Sequence, residues 1–268
     1  MNVLPKPVKS MAFRSLAQRT KGTSRFCDSG MNIDPLSAPP CTRSQMNGRV
    51  VEAERLQFAL PLTAKRNLED LARINRWFGG HRTLLKVLRT LVHPSERFSV
   101  LDVGAASGDA GTLIRKTYRN AFVVSLDHQI AHLRLAAPPR LVAAASALPF
   151  IGRSFDFVLC SLLLHHFSDR CAAALVGELL RFPRRALIIL DLERHSIAHS
   201  FLPFTRRLFR WSELTVDDGR KSVAAGFRVN ELRYIAQQAG AKQIEILRHW
   251  PWFRISAVIS SHLNQPPN

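Results

Sequence analysis
Between residues 98 and 190 five short apolar runs recur, at 98–103, 121–126, 141–144, 155–160 and 186–190. Each is almost continuously hydrophobic, as expected of parallel strands covered on both faces. Helical patterns separate them. This alternation predicts an α/β fold, a Rossmann-like doubly wound sheet that is mostly parallel. Near the end the pattern changes. "AKQIEILRHW" and "WFRISAVIS" alternate with no room for a helix between them, so they must pair as a C-terminal antiparallel hairpin. With 268 residues, 46% of them hydrophobic, the chain buries a full core.

The flanks carry other signals. "NLEDLARINRWF" (67–78) spaces Leu68, Leu71, Ile74, Asn75 and Phe78 as a helix, broken at Gly79-Gly80. A second N-terminal helix follows, with Leu84, Val87, Leu88 and Leu91 on one face. After the fifth strand a helical cap insertion spans 195–226. Its stripe of Ile197, Phe201, Phe204, Leu208 and Trp211 lies opposite Arg206, Arg207 and Arg210. Three readings fit that stripe: a helix on the core, a lid over a greasy acceptor, or an interfacial helix resting on a membrane. Pro203 predicts a kink or two short helices. "DDGRKS" reads as a turn, and 229–239 as a helix stopped by Gly240. The expected organisation is a basic disordered tail over 1–45, a helical segment over 46–97, a core over 98–260 and a short tail over 261–268. Residues 1–45 also read as a transit peptide or as sequence upstream of the true start.

The turn after the first strand, "VLDVGAASGD", receives a nucleotide-type ligand. A dinucleotide site needs G-x-G-x-x-G. Here Ala106 takes the middle position and no third glycine follows Gly108. A P-loop Gly-Lys-Ser/Thr is absent as well. About twenty residues on, Asp127 ends the second strand, where a carboxylate accepts ribose hydroxyls. The pattern describes a nucleoside with a ribose diol and little phosphate, which S-adenosylmethionine (SAM) satisfies.

With "ASALPF" after the third strand and "SFDFVLCSLLLHHFSD" through the fourth, residues 98–260 resemble a class I SAM-dependent methyltransferase. The resemblance is to the ubiquinone/menaquinone-biosynthesis-like branch. "LARINRWFGGHRTLL" and "DDGRKSVAAGFRVNEL" further resemble members associated with type III polyketide synthases, which methylate phenolic products. The resemblance implies that Asp102, Gly104 and Gly108 shape the methionine end of the cofactor site. It places Asp127 on the ribose and His128 beside the adenine, with Ala105, Ser146, Ala147 and Cys160 also lining the site. Two departures stand out. Ala106 is compatible with the turn if its φ stays negative. Ala144 replaces the acid that usually precedes "LPF".

The chemistry expected is positioning of an acceptor in line with a methyl group, with removal of a proton by a base of near-neutral pKa. "LLLHHF" places His165 and His166 at the carboxyl end of strand four. His166 is the expected base, oriented by Asp191 at the end of strand five. Phe167, Trp77, Phe78, Phe201 and Trp211 are candidates for lining an apolar or aromatic acceptor pocket, and Phe201 and Phe204 of the cap insertion are expected to cover the acceptor. The net charge of +18 raises nucleic acid and anionic membrane as partners. Strand four lacks both the Asn/Asp-Pro-Pro-aromatic and the Pro-Cys of base methylases, which argues against nucleic acid and leaves peripheral membrane contact open. A noncatalytic methyltransferase-like subunit is the other alternative. Cys27, Cys41, Cys160 and Cys171 show no C-x-x-C spacing, so no metal site is expected and a reducing, cytoplasmic setting is. Oligomeric state is not legible.

Overall fold
The computed structural model describes residues 48–261, apart from 53, 59 and 60. The expectations for 1–45 and for the tail beyond 261 lie outside the described residues.

Seven strands form one sheet in the order β3-β2-β1-β4-β5-β7-β6. They are β1 (Phe98–Val103), β2 (Ala121–Asp127), β3 (Arg140–Val142), β4 (Phe155–Ser161), β5 (Pro183–Leu192), β6 (Ile244–His249) and β7 (Arg254–Ser260). The first five run parallel, and β7 is antiparallel to both β5 and β6. The doubly wound sheet and its closing hairpin are as the sequence predicts.

Strand alternation divides the core. Leu101, Val103, Val158, Cys160, Leu187 and Ile189 point to one face, beneath α5 (Asp169–Leu179) and α8 (Val229–Gln238). Val100, Phe157, Leu159, Ile188 and Leu190 point to the other, under α2 (Gly80–Leu91) and α3 (Asp109–Thr117). Burying both faces explains the unbroken apolar runs. It also leaves the strand ends as the natural place for polar chemistry.

The segments around this core differ from expectation in three places. First, α1 (Pro61–Trp77) starts six residues before the expected helix. Residues 62, 63, 65 and 66 of its first turns are exposed, so no apolar period marks them. Second, α6 (Ser196–Phe209) continues through Pro203 as a single helix. The missing N–H leaves its hydrogen-bond gap beside an exposed residue. Third, "DDGRKS" lies inside α7 (Glu213–Ala224) and is no turn. Ser212 caps that helix by accepting from the Thr215 N–H. Asp218 accepts the N–H groups of Arg55 and Leu56. A Cβ on Gly219 would stand 2.3 Å from Leu202 Cδ1, so this glycine serves close helix packing of α6 on α7. Between β2 and β3 lies only a short helix, α4 (Ile130–Leu133).

Candidate active site
The turn between β1 and α3 is tight. Gly104 and Gly108 both have φ of 72°. A Cβ on Gly104 would lie 2.9 Å from Leu163 Cδ2, and one on Gly108 would lie 2.5 Å from Ala136 Cβ. Ala106 has a φ of 45°, in the left-handed region, which corrects the expectation of a negative φ. Its N–H donates to Asp127 Oδ2 at 2.9 Å. That charge-assisted bond offsets a backbone cost of about 1–2 kcal/mol. Ala105 is buried against Leu133 and Ala136.

Asp127 ends β2 next to this turn. Its Oδ1 accepts from the Gln129 N–H at 2.9 Å and lies 3.2 Å from His128 Nδ1. Burial pushes its pKa up, but the His128, Gln129 and Ala106 contacts outweigh burial and hold it below the usual aspartate value. The carboxylate is therefore ionised and fixed, with lone pairs left for further hydroxyls. Asp102 differs. Burial, with Asp109 nearby, pushes it up to about 7, and its buried Oδ2 has no partner among the described residues.

Of the remaining cofactor candidates, Ser146 and Ala147 are exposed in the loop after β3, with Ala144 half-buried beside them. Cys160 is a correction. It has no accessible surface and packs in the core beneath α5. Alternation along β4 turns it away from the cleft, and burial keeps its thiol protonated.

A cavity opens where α1, α2 and α3 meet the ends of β4, β5 and β7. Asn75, His81, Asp109, Leu162, Asp191 and Arg254 are among the residues lining it. Asp109 Oδ2 accepts from Asn75 Nδ2 at 3.2 Å and stands 3.1 Å from His81 Nε2. Arg254 is buried, and burial pushes its pKa down to about 10. It donates one long hydrogen bond, 3.4 Å, to Asn75 Oδ1. Opposite charges thus face the same small space.

The histidine loop is a single 3-10 turn, Leu164–His166. The two rings lie close together, 4.3 Å between centroids, but their partners differ. His165 is buried, and its Nδ1 lies 2.7 Å from Asp191 Oδ1. His166 keeps 21% of its side chain exposed. The orienting pair is therefore Asp191 with His165, which corrects the expected Asp191–His166 pair. Burial alone would lower the His165 pKa, but Asp191 and then Glu54 outweigh it and raise it to about 9. His166 is lowered by burial and by the charged His165, against the pull of Glu54. At neutral pH His165 is a cation and His166 a free base.

Glu54 and Arg49 complete the loop, and neither is marked in the sequence. Glu54 Oε1 stands 3.7 Å from His165 Nε2 and 3.9 Å from His166 Nδ1. Burial opposes its charge, but the two histidines hold its pKa down at about 2. Ser222 of α7 donates to the same oxygen. Arg49 is fully buried and ties the loop down. It donates to the carbonyls of Phe167 (3.1 Å) and Ala225 (2.8 Å) and pairs with Asp169. The three polar side chains Glu54, His165 and His166 bring their ligand atoms within 4.8 Å of one another. Each is already engaged by a neighbour of opposite or complementary charge.

Aromatic side chains gather around Phe78, three residues along the chain from the cavity-lining Asn75. Phe78 contacts Phe201 at 4.7 Å and Phe209 at 5.4 Å between ring centroids. Trp211 is buried, stacked on Phe209. Trp77 is 46% exposed and Phe204 90% exposed. Phe204 therefore turns away from this cluster, contrary to expectation.

Residues 100–185 match a family model described as a methyltransferase domain. Malonyl-(acyl-carrier protein) O-methyltransferase 1 of Coxiella burnetii is 40% identical over 70 residues, 26% of this chain. The match spans only 25% of that relative's length. A SAM-dependent methyltransferase from Aquifex aeolicus superposes with a TM-score of 0.53 at 18% identity, covering 75% of this chain and 98% of that one. The plantazolicin methyltransferase BpumL, solved with S-adenosylhomocysteine, gives a TM-score of 0.57 at 14% identity, covering 77% and 93%. At such identities the likeness is one of fold. Strand order, the glycine-bracketed turn and the fixed carboxylate after β2 agree with these likenesses: residues 100–185 match a methyltransferase domain, and the sheet has the fold of SAM-dependent methyltransferases.

Proposed function
We propose that the chain methylates a small apolar acceptor, a phenolic or quinone-like hydroxyl or ring carbon, using His166 as the base. The observation that carries this reading is the histidine pair at the carboxyl ends of β4 and β5, His165 held by Asp191 at 2.7 Å and His166 beside Glu54 at 3.9 Å. Those ends border the cofactor turn, where ligands of open α/β sheets bind.

The residues present fit the cofactor. The turn carries no cation from residue 100 to 114, which suits a ligand lacking phosphate. Asp127 would hold the ribose hydroxyls and His128 would flank the adenine. Arg254 and Asp109 would take the carboxylate and ammonium of the methionyl end. When bound, SAM supplies an electrophilic methyl on a sulfonium centre. The chain's own work is to orient and to move one proton. His166 accepts the acceptor's proton. His165, held between Asp191 and Glu54, is a positioning residue that fixes Glu54 beside His166. Phe78, Phe201 and Phe167 supply an apolar wall.

The test is a panel of phenols, quinols and a malonyl thioester incubated with SAM, with S-adenosylhomocysteine and the methylated product followed by mass spectrometry. The malonyl thioester is included because the curated relative's name specifies that acceptor. Methylation of a phenol or quinol, lost in His166→Ala with cofactor binding retained, supports the proposal. Methylation of the thioester alone, or of RNA or DNA, replaces the acceptor. Cofactor binding without turnover on any acceptor favours a noncatalytic subunit.

A further inference from the structure
We propose that the outer face of α6 docks onto an anionic lipid bilayer. Ile197, Phe204 and Leu208 are 56%, 90% and 77% exposed. Together with Phe201 they fall within an arc of about 60° at helical spacing. A single exposed leucine needs no explanation, but an apolar ridge along one helix marks an interaction surface. The helix is not free to roll and bury it. Leu202 on another face is buried against α7, where it fills the space left by Gly219. Phe209, at the helix end, is held by Phe78 and Trp211.

Charge selects the occupant. From residue 194 to 212 there is no acidic residue. Arg206, Arg207 and Arg210 are exposed and form no ion pair among the described residues. An apolar ridge edged by arginines is the pattern of helices that lie in the bilayer interface, with the guanidinium groups reaching to lipid phosphates. The net charge of +18 adds long-range attraction to an anionic surface. No helix among the described residues is long and apolar enough to cross a membrane, so the contact is a surface one. The location also matters. Phe201, on the same stripe, packs on Phe78, one turn from the cavity-lining Asn75. A lipid-facing α6 therefore brings the apolar wall of the cleft close to the bilayer, where a greasy acceptor would dissolve. The docking itself does not depend on which acceptor is used.

The experiment is flotation of the full chain with phosphatidylcholine vesicles, with and without phosphatidylglycerol, at low and high salt. The expected result is binding that requires phosphatidylglycerol and weakens with salt. Phe204→Ser with Leu208→Ser should lower partitioning roughly tenfold or more by removing the inserted apolar area. Each of Arg206→Gln, Arg207→Gln and Arg210→Gln should lower it about fivefold. SAM affinity and thermal melting should be unchanged in all of these variants. Failure of the wild type to float with anionic vesicles overturns the proposal, as does equal flotation of all variants. A lipid-free dimer in sedimentation velocity that dissociates on Phe204→Ser would assign the face to a second copy instead. Salt-sensitive retention on RNA or DNA that the arginine variants lose, with vesicle binding intact, would assign the arginines to nucleic acid.

Discussion
Asp191 Oδ1 stands 2.7 Å from His165 Nδ1, where β4 and β5 leave the sheet side by side. The same carboxylate also accepts the backbone N–H groups of His165, at 3.2 Å, and Leu192, at 2.7 Å. One buried acid thus fixes both the ring and the turn that carries it. Its own pKa is pushed up by burial, then pulled below the usual value by His165. Burial first, and then the cation so formed on His165, hold the pKa of its neighbour His166 down.

This division of labour predicts different effects for adjacent residues. His166→Ala should lower turnover by about 10²–10⁴ and abolish the acid limb of the rate profile. In the wild type that limb should fall below pH 6.5, since the His166 pKa is lowered from 6.5. His165→Gln removes the like charge and should move the limb to higher pH. Measuring kcat against pH for both variants checks this. Identical profiles for the two would show that the imidazoles are interchangeable and the assignment wrong.

Stability should follow the same network. The His165 pKa of about 9 lies above its ordinary 6.5, so its contribution is complete below pH 6.5 and lost as pH rises through about 9. Glu54 is the reverse. Held at about 2 against an ordinary 4.5, it contributes above pH 4.5 and loses its contribution as pH falls through about 2. Asp191→Asn leaves a buried cation without its main partner and should cost about 3–5 kcal/mol at pH 6. Urea melts of wild type and variant from pH 5 to 9 test this. A difference that does not shrink toward high pH would count against the charged pair.

The cofactor turn carries a separable prediction. Asp127→Ala should weaken SAM binding by about 1–3 kcal/mol, read by calorimetry on folded protein. Ala106→Gly removes the left-handed strain while keeping the N–H that Asp127 accepts. It should raise stability by about 1 kcal/mol and leave SAM affinity near wild type. A destabilised Ala106→Gly protein would mean that the positive φ is not a cost in solution.

Phe78 and Phe201 meet edge to face, whereas Phe204 faces solvent. Phe201→Ala should therefore change the preference among apolar acceptors, with kcat/KM for a bulky acceptor shifting by about tenfold. SAM affinity should stay intact. If Phe204→Ser alters acceptor preference as strongly as Phe201→Ala, the wall of the acceptor site extends to the outer stripe.

Much of the fold was legible in the chain because its signals are local. A strand buried on both faces needs an unbroken apolar run, and 98–103 or 155–160 satisfies that whatever lies elsewhere. The hairpin followed from the lack of room for a helix. The turn glycines and Asp127 could be read because they follow their strands directly in sequence. What the tertiary structure alone decided depends on partners far along the chain. Arg49 and Glu54 sit in a stretch without periodicity, and their partners lie more than 100 residues away. The stripe on α6 looks the same in sequence whether it is buried or exposed; with Leu202 packed into the space at Gly219, Ile197, Phe204 and Leu208 face outward while Phe201 and Trp211 pack inward. The stretch that reads as a turn lies inside a helix capped by Ser212, with Asp218 held by the N–H groups of Arg55 and Leu56 far along the chain. Asp191 follows β5 at the expected place, but sequence order could not say which of two adjacent histidines it would hold. The 3-10 turn settled that, by bringing the His165 ring onto Asp191 and leaving the His166 ring beside Glu54.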